Sequence, residues 1–112
     1  MNLELNLEYL VKVVREDWMF DKENYPSMKR MSGKEKRLFA IEHTLKHQTK
    51  ALAKAMEALE RFEHGMPLDE EKLRLSVRNF LISTLRLSDL IGISPKKLAD
   101  EVQQWADEKY KP

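Results

Sequence analysis

The sequence predicts an all-α fold, an antiparallel four-helix bundle made by a single domain over residues 1–112. Apolar residues recur at three- and four-residue steps through most of the chain, which is the period of an α-helix. Only 3 glycines and 4 prolines occur, and most of them fall between the periodic segments. Four such segments with short connections are typical of an antiparallel bundle.

The composition excludes several classes of protein. With 42% hydrophobic and 35% charged residues, and 20 basic against 19 acidic side chains, the chain suits neither a disordered nor a membrane protein. The balanced charge makes nucleic acid an unexpected partner. The absence of cysteine excludes disulfides, thiol nucleophiles and cysteine-ligated metals. The first residues do not resemble a signal peptide and no apolar run could span a membrane, so we expect a cytoplasmic protein.

The first periodic segment predicts a helix from about residue 3 to 20. Its apolar residues follow helical spacing: Leu3, Leu7, Leu10, Val11, Val14 and Trp18. The alternation of Leu3, Leu5 and Leu7 leaves a short strand as an alternative. Residues 21–31 have no period and are expected to form a loop, in which Pro26 holds the preceding Tyr25 extended.

The second helix is predicted from about residue 33 to 64. Ser32 and Glu35 form a capping box, in which each side chain accepts a hydrogen bond from the backbone of the other residue. Gly65 provides the expected stop, and Pro67 prevents continuation. One apolar stripe follows this helix: Leu38, Ile41, Leu45, Leu52, Met56, Leu59 and Phe62.

The third helix is predicted from about residue 69 to 91, with Asp69 as its N-cap and Gly92 at its end. Its stripe comprises Leu73, Val77, Phe80, Leu81, Leu85 and Ile91. Apolar residues near Phe80 cover more than one face, so we expect this helix at the centre of the bundle or at a dimer seam.

The fourth helix is predicted from about residue 95 to 110, with Ser94 as N-cap and Pro95 in the first turn. Its expected buried face comprises Leu98, Val102, Trp105 and Tyr110. Trp18 and Trp105 lie on apolar stripes, so we interpret them as anchors of the core or of an interface and not as stacking partners for a ligand.

The second half of the chain resembles a known family. A long apolar helix is followed by the segment Leu87–Leu98, which contains a Gly-Ile-Ser-Pro turn, and then by a short amphipathic helix. In helix order, helix length and this turn, residues 33–110 resemble the MazG-like all-α nucleoside triphosphate pyrophosphatases. The resemblance implies a bundle completed by self-association, expected to be a dimer, and release of pyrophosphate from nucleotides. It also implies Mg²⁺ held by an E-x-x-E motif and an E-x-x-D motif on successive helices.

The chain departs from the family at those two motifs. The first falls at His43 and Lys46, with Glu42 as the only nearby acid, and the second falls at Ser76 and Asn79. Mg²⁺ prefers carboxylate oxygens, and a lysine would repel it. The resemblance therefore implies a nucleotide-handling protein that has lost the usual Mg²⁺ ligands. Its catalytic residues are unknown, and Mg²⁺ would be a cofactor only if the family activity were retained. The alternative function is a non-catalytic module for self-association or protein interaction.

Acidic and histidine clusters offer weaker candidates for metal binding. Glu57, Glu60 and Glu63 keep an E-x-x-E spacing and would face Glu70 and Glu71 across the connection between the helices, although solvated acids are the more common interpretation.

His43 and His47 lie one helical turn apart, a half-site for an ion such as Zn²⁺. Glu42 is adjacent but points about 100° away around the helix axis. An ordinary polar helix face is again the more common interpretation.

Basic side chains suggest where phosphate could bind. Lys46, Lys50 and Lys54 form an i,i+4 ladder that could hold a phosphate or could simply be solvated. Arg78, on the helix expected to be most buried, needs either a phosphate or an ion pair with Glu57 or Glu60, and we favour the ion pair. A second basic cluster lies around the loop and is interpreted as a phosphate contact or a solvated segment: Lys29, Arg30, Lys34, Lys36 and Arg37.

Overall fold

The computed structural model describes residues 2–110, except for the side chain of Leu5. This part of the chain forms four α-helices and one short 3-10 turn: α1 (Leu3–Asp17), the turn (Pro26–Arg30), α2 (Gly33–Glu63), α3 (Glu70–Leu90) and α4 (Pro95–Lys109). It contains no strand, so the all-α prediction is confirmed and the strand alternative at the start of α1 is wrong. None of these helices is long and apolar enough to cross a membrane.

The ends of the last three helices follow local sequence signals. Ser32, Asp69 and Ser94 precede α2, α3 and α4, and each side chain accepts from the backbone N–H three residues later, at 3.2, 2.9 and 3.1 Å. Gly65 and Gly92 follow α2 and α3 with φ of +89° and +84°, a conformation that glycine adopts without steric cost. The capping predictions are therefore confirmed.

The first helix and the following loop differ from the prediction. α1 ends at Asp17, three residues before the predicted Phe20, because Trp18 leaves the helical region with φ −120° and ψ 74°. The predicted loop contains the 3-10 turn, and Met28 within that turn is buried. The segment is therefore anchored to the rest of the fold by an apolar side chain that the search for helical periods did not single out.

Small side chains form the seam between α2 and α3. The two helices run antiparallel, since Gln48 bonds to Thr84 at 2.6 Å and Glu57 pairs with Lys72 at 3.0 Å. The buried residues of α2 are Ala40, Thr44, Ala51 and Ala58, and the small buried residues of α3 are Ser76, Ser83 and Ser88. Small side chains at a contact allow helix axes to approach closely. The hairpin is therefore held along an alanine, threonine and serine seam.

The predicted apolar stripes lie mostly outside the seam. The members of the last three predicted stripes that are exposed are Leu38, Leu45, Leu52, Met56, Leu59, Phe62, Val77, Phe80, Leu81, Ile91, Val102, Trp105 and Tyr110. Leu85 is the member of the α3 stripe that is buried. The predicted buried face of the fourth helix is wrong, since Ala99 is its buried residue and Trp105 is 60% exposed. Trp105 is thus not a core anchor within this chain.

The α2–α3 hairpin has two different sides. A helix turns by about 100° per residue, so the leucines of α2 and Phe80 of α3 lie on one side of the seam. We call this the outer side: Leu38, Leu45, Leu52, Leu59, Val77 and Phe80. On the other side α1 packs against α3, while α4 packs against α1.

The chain is flat and exposes much surface. Its extents are 49 × 43 × 20 Å, the thinnest dimension matching about two helix diameters. The radius of gyration is 17.3 Å, against about 13 Å for a compact domain of this length. The accessible surface is 8745 Å², about 2,300 Å² more than a compact monomer of this mass exposes. A large part of the apolar surface therefore stays uncovered by the chain itself.

Candidate ligand-binding groove

An open groove of about 690 Å³ lies on the α1 side of the hairpin. One wall comes from the end of α1 and the loop after it, and the other comes from the middle of α2 and α3. Its lining residues are Val13, Val14, Asp17, Trp18, Tyr25, His47, Lys50, Ala51, Lys54, Asn79, Ile82 and Ser83. The volume is in the range of small-molecule sites.

An aromatic cluster builds one end of this groove. The Trp18 indole N–H donates to the Tyr25 hydroxyl at 2.9 Å. Tyr25 stacks on Phe20 with ring centroids 5.1 Å apart, and it meets Phe39 edge-on at 5.5 Å. We call Trp18, Phe20, Tyr25, Phe39 and the arginine beneath them, Arg86, the aromatic corner. The hydrogen bond and the stacking fix the orientation of the Trp18 ring at the groove.

Arg86 is the buried arginine of α3, where the sequence had suggested Arg78. It is 6% exposed, and its Nε donates to the Trp18 carbonyl at 2.8 Å. Its Nη1 donates to Asp89 at 3.0 Å, and its guanidinium lies 5.2 Å from the centre of the Phe20 ring. The chain turns away from α1 at Trp18, and this arginine supplies the donor for the carbonyl that the end of the helix leaves free.

Asp89 joins α1 to α3 on the same side. Arg15 binds both of its carboxylate oxygens, at 2.7 and 2.8 Å. The hydrogen bonds from Arg15 lower the pKa of Asp89, and the charges of Arg15 and Arg86 lower it further, against the effect of partial burial. The carboxylate is therefore ionised at neutral pH and holds both arginines in place.

Two lysines supply positive charge to the groove. Lys50 and Lys54 line it and are exposed, while Asp17 is the one acid among its lining residues. Lys46, the first member of the predicted ladder, pairs instead with Glu42 at 3.4 Å. Only the second and third lysines of the ladder can therefore reach a ligand held in this groove.

His43 and His47 face each other beside the groove, with their Nε2 atoms 3.2 Å apart. The edge of Trp18 packs on His47 with ring centroids 4.8 Å apart, and Phe39 stacks on His43 at 5.6 Å. Partial burial lowers the pKa of both histidines, and nearby positive charge, including Lys50, lowers it further. Both imidazoles are thus neutral at pH 7.

The family motif positions are only partly brought to the groove. Asn79 lines it, whereas His43 and Lys46 are not among its lining residues. Ser76 is buried in the seam, where its hydroxyl donates to the Lys72 carbonyl at 2.8 Å. The four positions therefore do not form one oxygen-rich site.

The other candidate charges are arranged as surface pairs. Arg78 is exposed and contacts the Asn79 side-chain oxygen at 3.1 Å, so the predicted ion pair with Glu57 or Glu60 is wrong. Glu57 pairs with Lys72, whose hydrogen bond lowers the pKa of that carboxyl. Glu71 pairs with Arg74. Within residues 2–110 no group of three or more histidine, aspartate or glutamate side chains is placed to hold a metal ion.

The loop cluster of basic residues lies apart from the groove. Its five side chains are all exposed, and none of them lines the groove: Lys29, Arg30, Lys34, Lys36 and Arg37. The neighbouring Tyr25 turns inward instead, towards Trp18. Interpretation of the sequence missed this role of Tyr25 and the contributions of Phe20 and Phe39. The available signal was the aromatic character of Phe20 and Tyr25 near Pro26, which does not reveal their partners.

Comparison with known proteins gives no further guide to the groove. No family model, no curated protein and no solved structure matches this chain.

Proposed function

We propose that the protein is a MazG-like nucleotide-handling protein that binds a nucleoside phosphate in the groove and lacks the usual Mg²⁺-dependent hydrolysis. The observation that carries this proposal is that Trp18 and His47 share one groove with Lys50 and Lys54. An aromatic surface suits a nucleobase, and lysines suit phosphate.

The arrangement suggests a direction for the ligand. Trp18 is held by Tyr25 and Arg86 at the α1 wall, so a base can stack there without ordering a mobile ring. Lys50 and Lys54 lie on successive turns of α2, and their ammonium groups can reach neighbouring phosphate oxygens. Asn79, on the α3 wall, adds an amide that can bond to a sugar or a base.

The charges in the groove favour binding without metal-dependent hydrolysis. Mg²⁺ in nucleotide hydrolysis is held by carboxylates and neutralises the phosphate charge while water attacks. Here lysines neutralise that charge, and the single lining acid, Asp17, does not make a ligand set. The catalytic residues of the family therefore have no counterpart that we can name in this chain.

The first test combines turnover with binding. The four common nucleoside triphosphates would be offered with Mg²⁺ and with Mn²⁺, followed by pyrophosphate release and by the shift in melting temperature. We expect stabilisation without release, because a ligand that binds only the folded state raises its stability. Metal-dependent release would overturn the claim of lost hydrolysis. Absence of both signals would overturn nucleotide binding.

Variants locate the site. Trp105→Phe leaves Trp18 as the one tryptophan, so quenching of its fluorescence on titration reports stacking in the groove. In that background Lys50→Gln with Lys54→Gln should weaken binding at least about tenfold, because charged hydrogen bonds are lost. Lys46→Gln is the matched control and should bind as the parent does, since Lys46 pairs with Glu42. Equal affinity in all three proteins would place the ligand elsewhere.

A second function, self-association, is favoured by the exposed outer side of the hairpin. We propose that a second copy packs its own outer side on this one, giving a dimer in which two hairpins complete a four-helix bundle. The excess surface of about 2,300 Å² per chain is in the range that obligate dimers bury. The leucines of the outer side recur every seven residues along α2, two helical turns apart, which suits helix packing of this kind.

Sedimentation tests the dimer directly. Leu45→Glu with Leu52→Glu should give a monomer that remains helical, because these side chains are 45% and 54% exposed within the chain. Val102→Glu is the matched control, because Val102 is similarly exposed but lies on α4. A parent protein that is monomeric at high concentration, or a double variant that stays dimeric, would contradict the proposal.

A further inference from the structure

We propose that His43 and His47 form a two-histidine chelating site for a late first-row divalent transition metal, namely Cu²⁺, Ni²⁺ or Zn²⁺, on the α1 side of α2. The two Nε2 atoms already lie 3.2 Å apart, within hydrogen-bonding distance of each other. This site shares His47 and the packing of Trp18 with the proposed nucleotide groove, but it needs neither the lysines nor a bound nucleotide.

The separation of the two nitrogens fits shared coordination. Two nitrogens bound to a tetrahedral Zn²⁺ at its usual bond length are about 3.3–3.4 Å apart. The distance between the two Nε2 atoms would need to grow by only one or two tenths of an ångström, and both rings would turn slightly so that their lone pairs meet at an ion beside the line joining the nitrogens. The same separation also fits a hydrogen bond between two neutral imidazoles, in which one Nε2 carries the proton. A metal ion would take the place of that proton, which moves to Nδ1 of the same ring.

Aromatic neighbours restrict the motion of both rings. Phe39 stacks on His43, and Tyr25 meets the same ring edge-on with centroids 4.9 Å apart. Trp18 packs on His47 from the groove side. Little side-chain freedom is therefore lost when an ion binds, which favours affinity. Partial burial also keeps both imidazoles neutral at pH 7, which is the form that binds metals.

The surrounding charges set limits on the ion. Lys46 and Lys50 repel a cation, and Glu42 pairs with Lys46, so no carboxylate of α2 joins the two nitrogens. Within residues 2–110 no third histidine, aspartate or glutamate completes the site, so water fills the remaining positions. Imidazole nitrogens favour copper, nickel and zinc, whereas Mg²⁺ requires oxygen ligands. The site is therefore selective against the metal that the resemblance to the family implies.

Calorimetric titration of the full chain with Cu²⁺, Ni²⁺, Zn²⁺ or Mg²⁺, each without nucleotide, tests the site. We expect one transition-metal ion per chain, tightest for Cu²⁺, and no binding of Mg²⁺. The electron paramagnetic resonance spectrum of the Cu²⁺ form should show two coordinating nitrogens. Stoichiometry of one ion per two chains would overturn a chelate within one chain, and a spectrum without paired nitrogens would overturn the ligand assignment.

Substitutions separate this chelate from general surface binding. His47→Gln should weaken Cu²⁺ and Zn²⁺ binding by about tenfold or more, since one imidazole remains. His47 is exposed, so the variant should fold, which circular dichroism verifies. His64→Gln is the matched control because His64 is also exposed but lies at the far end of α2. Unchanged affinity in His47→Gln, or lost affinity in His64→Gln, would overturn the proposal. Because no nucleotide is present, failure here would leave the nucleotide proposal unaffected.

Discussion

The aromatic corner and the outer side of the hairpin differ in whether their large side chains have partners within the chain. At the aromatic corner, Trp18, Tyr25 and Arg86 satisfy one another through hydrogen bonds and ring contacts within the chain. On the outer side, large apolar residues such as Leu52 remain exposed. The contact between α2 and α3 is made instead by small residues of the seam, such as Ala58. The side chains of the corner therefore find their partners within one chain. The outer side is as apolar as a protein interior, but no helix of this chain covers it.

This difference separates two kinds of contribution to the molecule. The corner fixes the end of α1 on α3 and so shapes the groove. The outer side contributes nothing to the groove, but it carries much of the apolar surface that a small domain must bury for stability. Ligand binding and self-association can therefore be disturbed independently.

The largest expected effect on stability comes from replacing the buried arginine, Arg86. Arg86→Met should lower the free energy of unfolding by about 3 kcal/mol, because it leaves the Trp18 carbonyl without its donor and takes one of the two arginines from Asp89. Urea denaturation measures the change. Arg78→Met is the control, since Arg78 is exposed and should change stability little. Equal effects of the two substitutions would mean that the corner does not hold α1 to α3.

A smaller loss of stability is expected when a larger side chain is placed in the seam between α2 and α3. Ala58 is 1% exposed, so Ala58→Leu should destabilise the protein by about 2 kcal/mol through overpacking between α2 and α3. Ala53→Leu serves as the control on the exposed surface of the same helix. Thermal unfolding of both proteins gives the comparison. If Ala58→Leu were as stable as the parent, the small residues would not be the closest contact of the hairpin.

The smallest effect should be a pH dependence of stability that comes from His43 and His47, beside the aromatic corner. Burial lowers the pKa of His43 and His47 from the ordinary value of 6.5, helped by the nearby lysines, and the rings facing them from other elements are those of Trp18, Phe20 and Tyr25. A lowered pKa in the folded state means that the unfolded chain binds protons more readily. The free energy of unfolding therefore has its full value above pH 6.5, the ordinary pKa of histidine. It decreases as the pH falls towards the lower pKa values of His43 and His47 in the folded protein.

Unfolding in urea at several pH values between 5 and 8 measures this dependence. The substitution of both histidines by glutamine should flatten the profile in that range, whereas His64→Gln should leave it as in the parent. A parent profile that is already flat would show that the two imidazoles keep their ordinary protonation on folding.

The candidate site was only partly predictable. Lys50 and Lys54 were identified from their i,i+4 spacing, because both lie on one face of one helix. Their partners Trp18 and Tyr25 are separated from them by a loop and by a change of helix, so no spacing rule connects the two sets. The assignment of the buried arginine failed for the same reason. Arg78 and Arg86 are both on α3, and only the position of α1 decides which of them is enclosed.

The sequence alone determined where the helices begin and end after the first loop. Ser32, Asp69 and Ser94 bond to backbone groups three residues away, and Gly65 and Gly92 adopt a conformation open to glycine. Such signals act within one turn and need no tertiary contact. The apolar stripe of α2 was also visible, but periodicity shows that a helix has an apolar face and does not show what covers it.

Only the tertiary structure decided that small residues form the seam and large ones remain outside it. Ala51, Ala58 and Ser83 carry little hydrophobic signal, so their role depends on how closely two helices can approach. A long-range contact also completes the end of α1, where Arg86 donates to the carbonyl of Trp18 from a helix nearly 70 residues later in the chain. Close packing and long-range hydrogen bonds are properties of pairs of elements, and no single element of the sequence contains them.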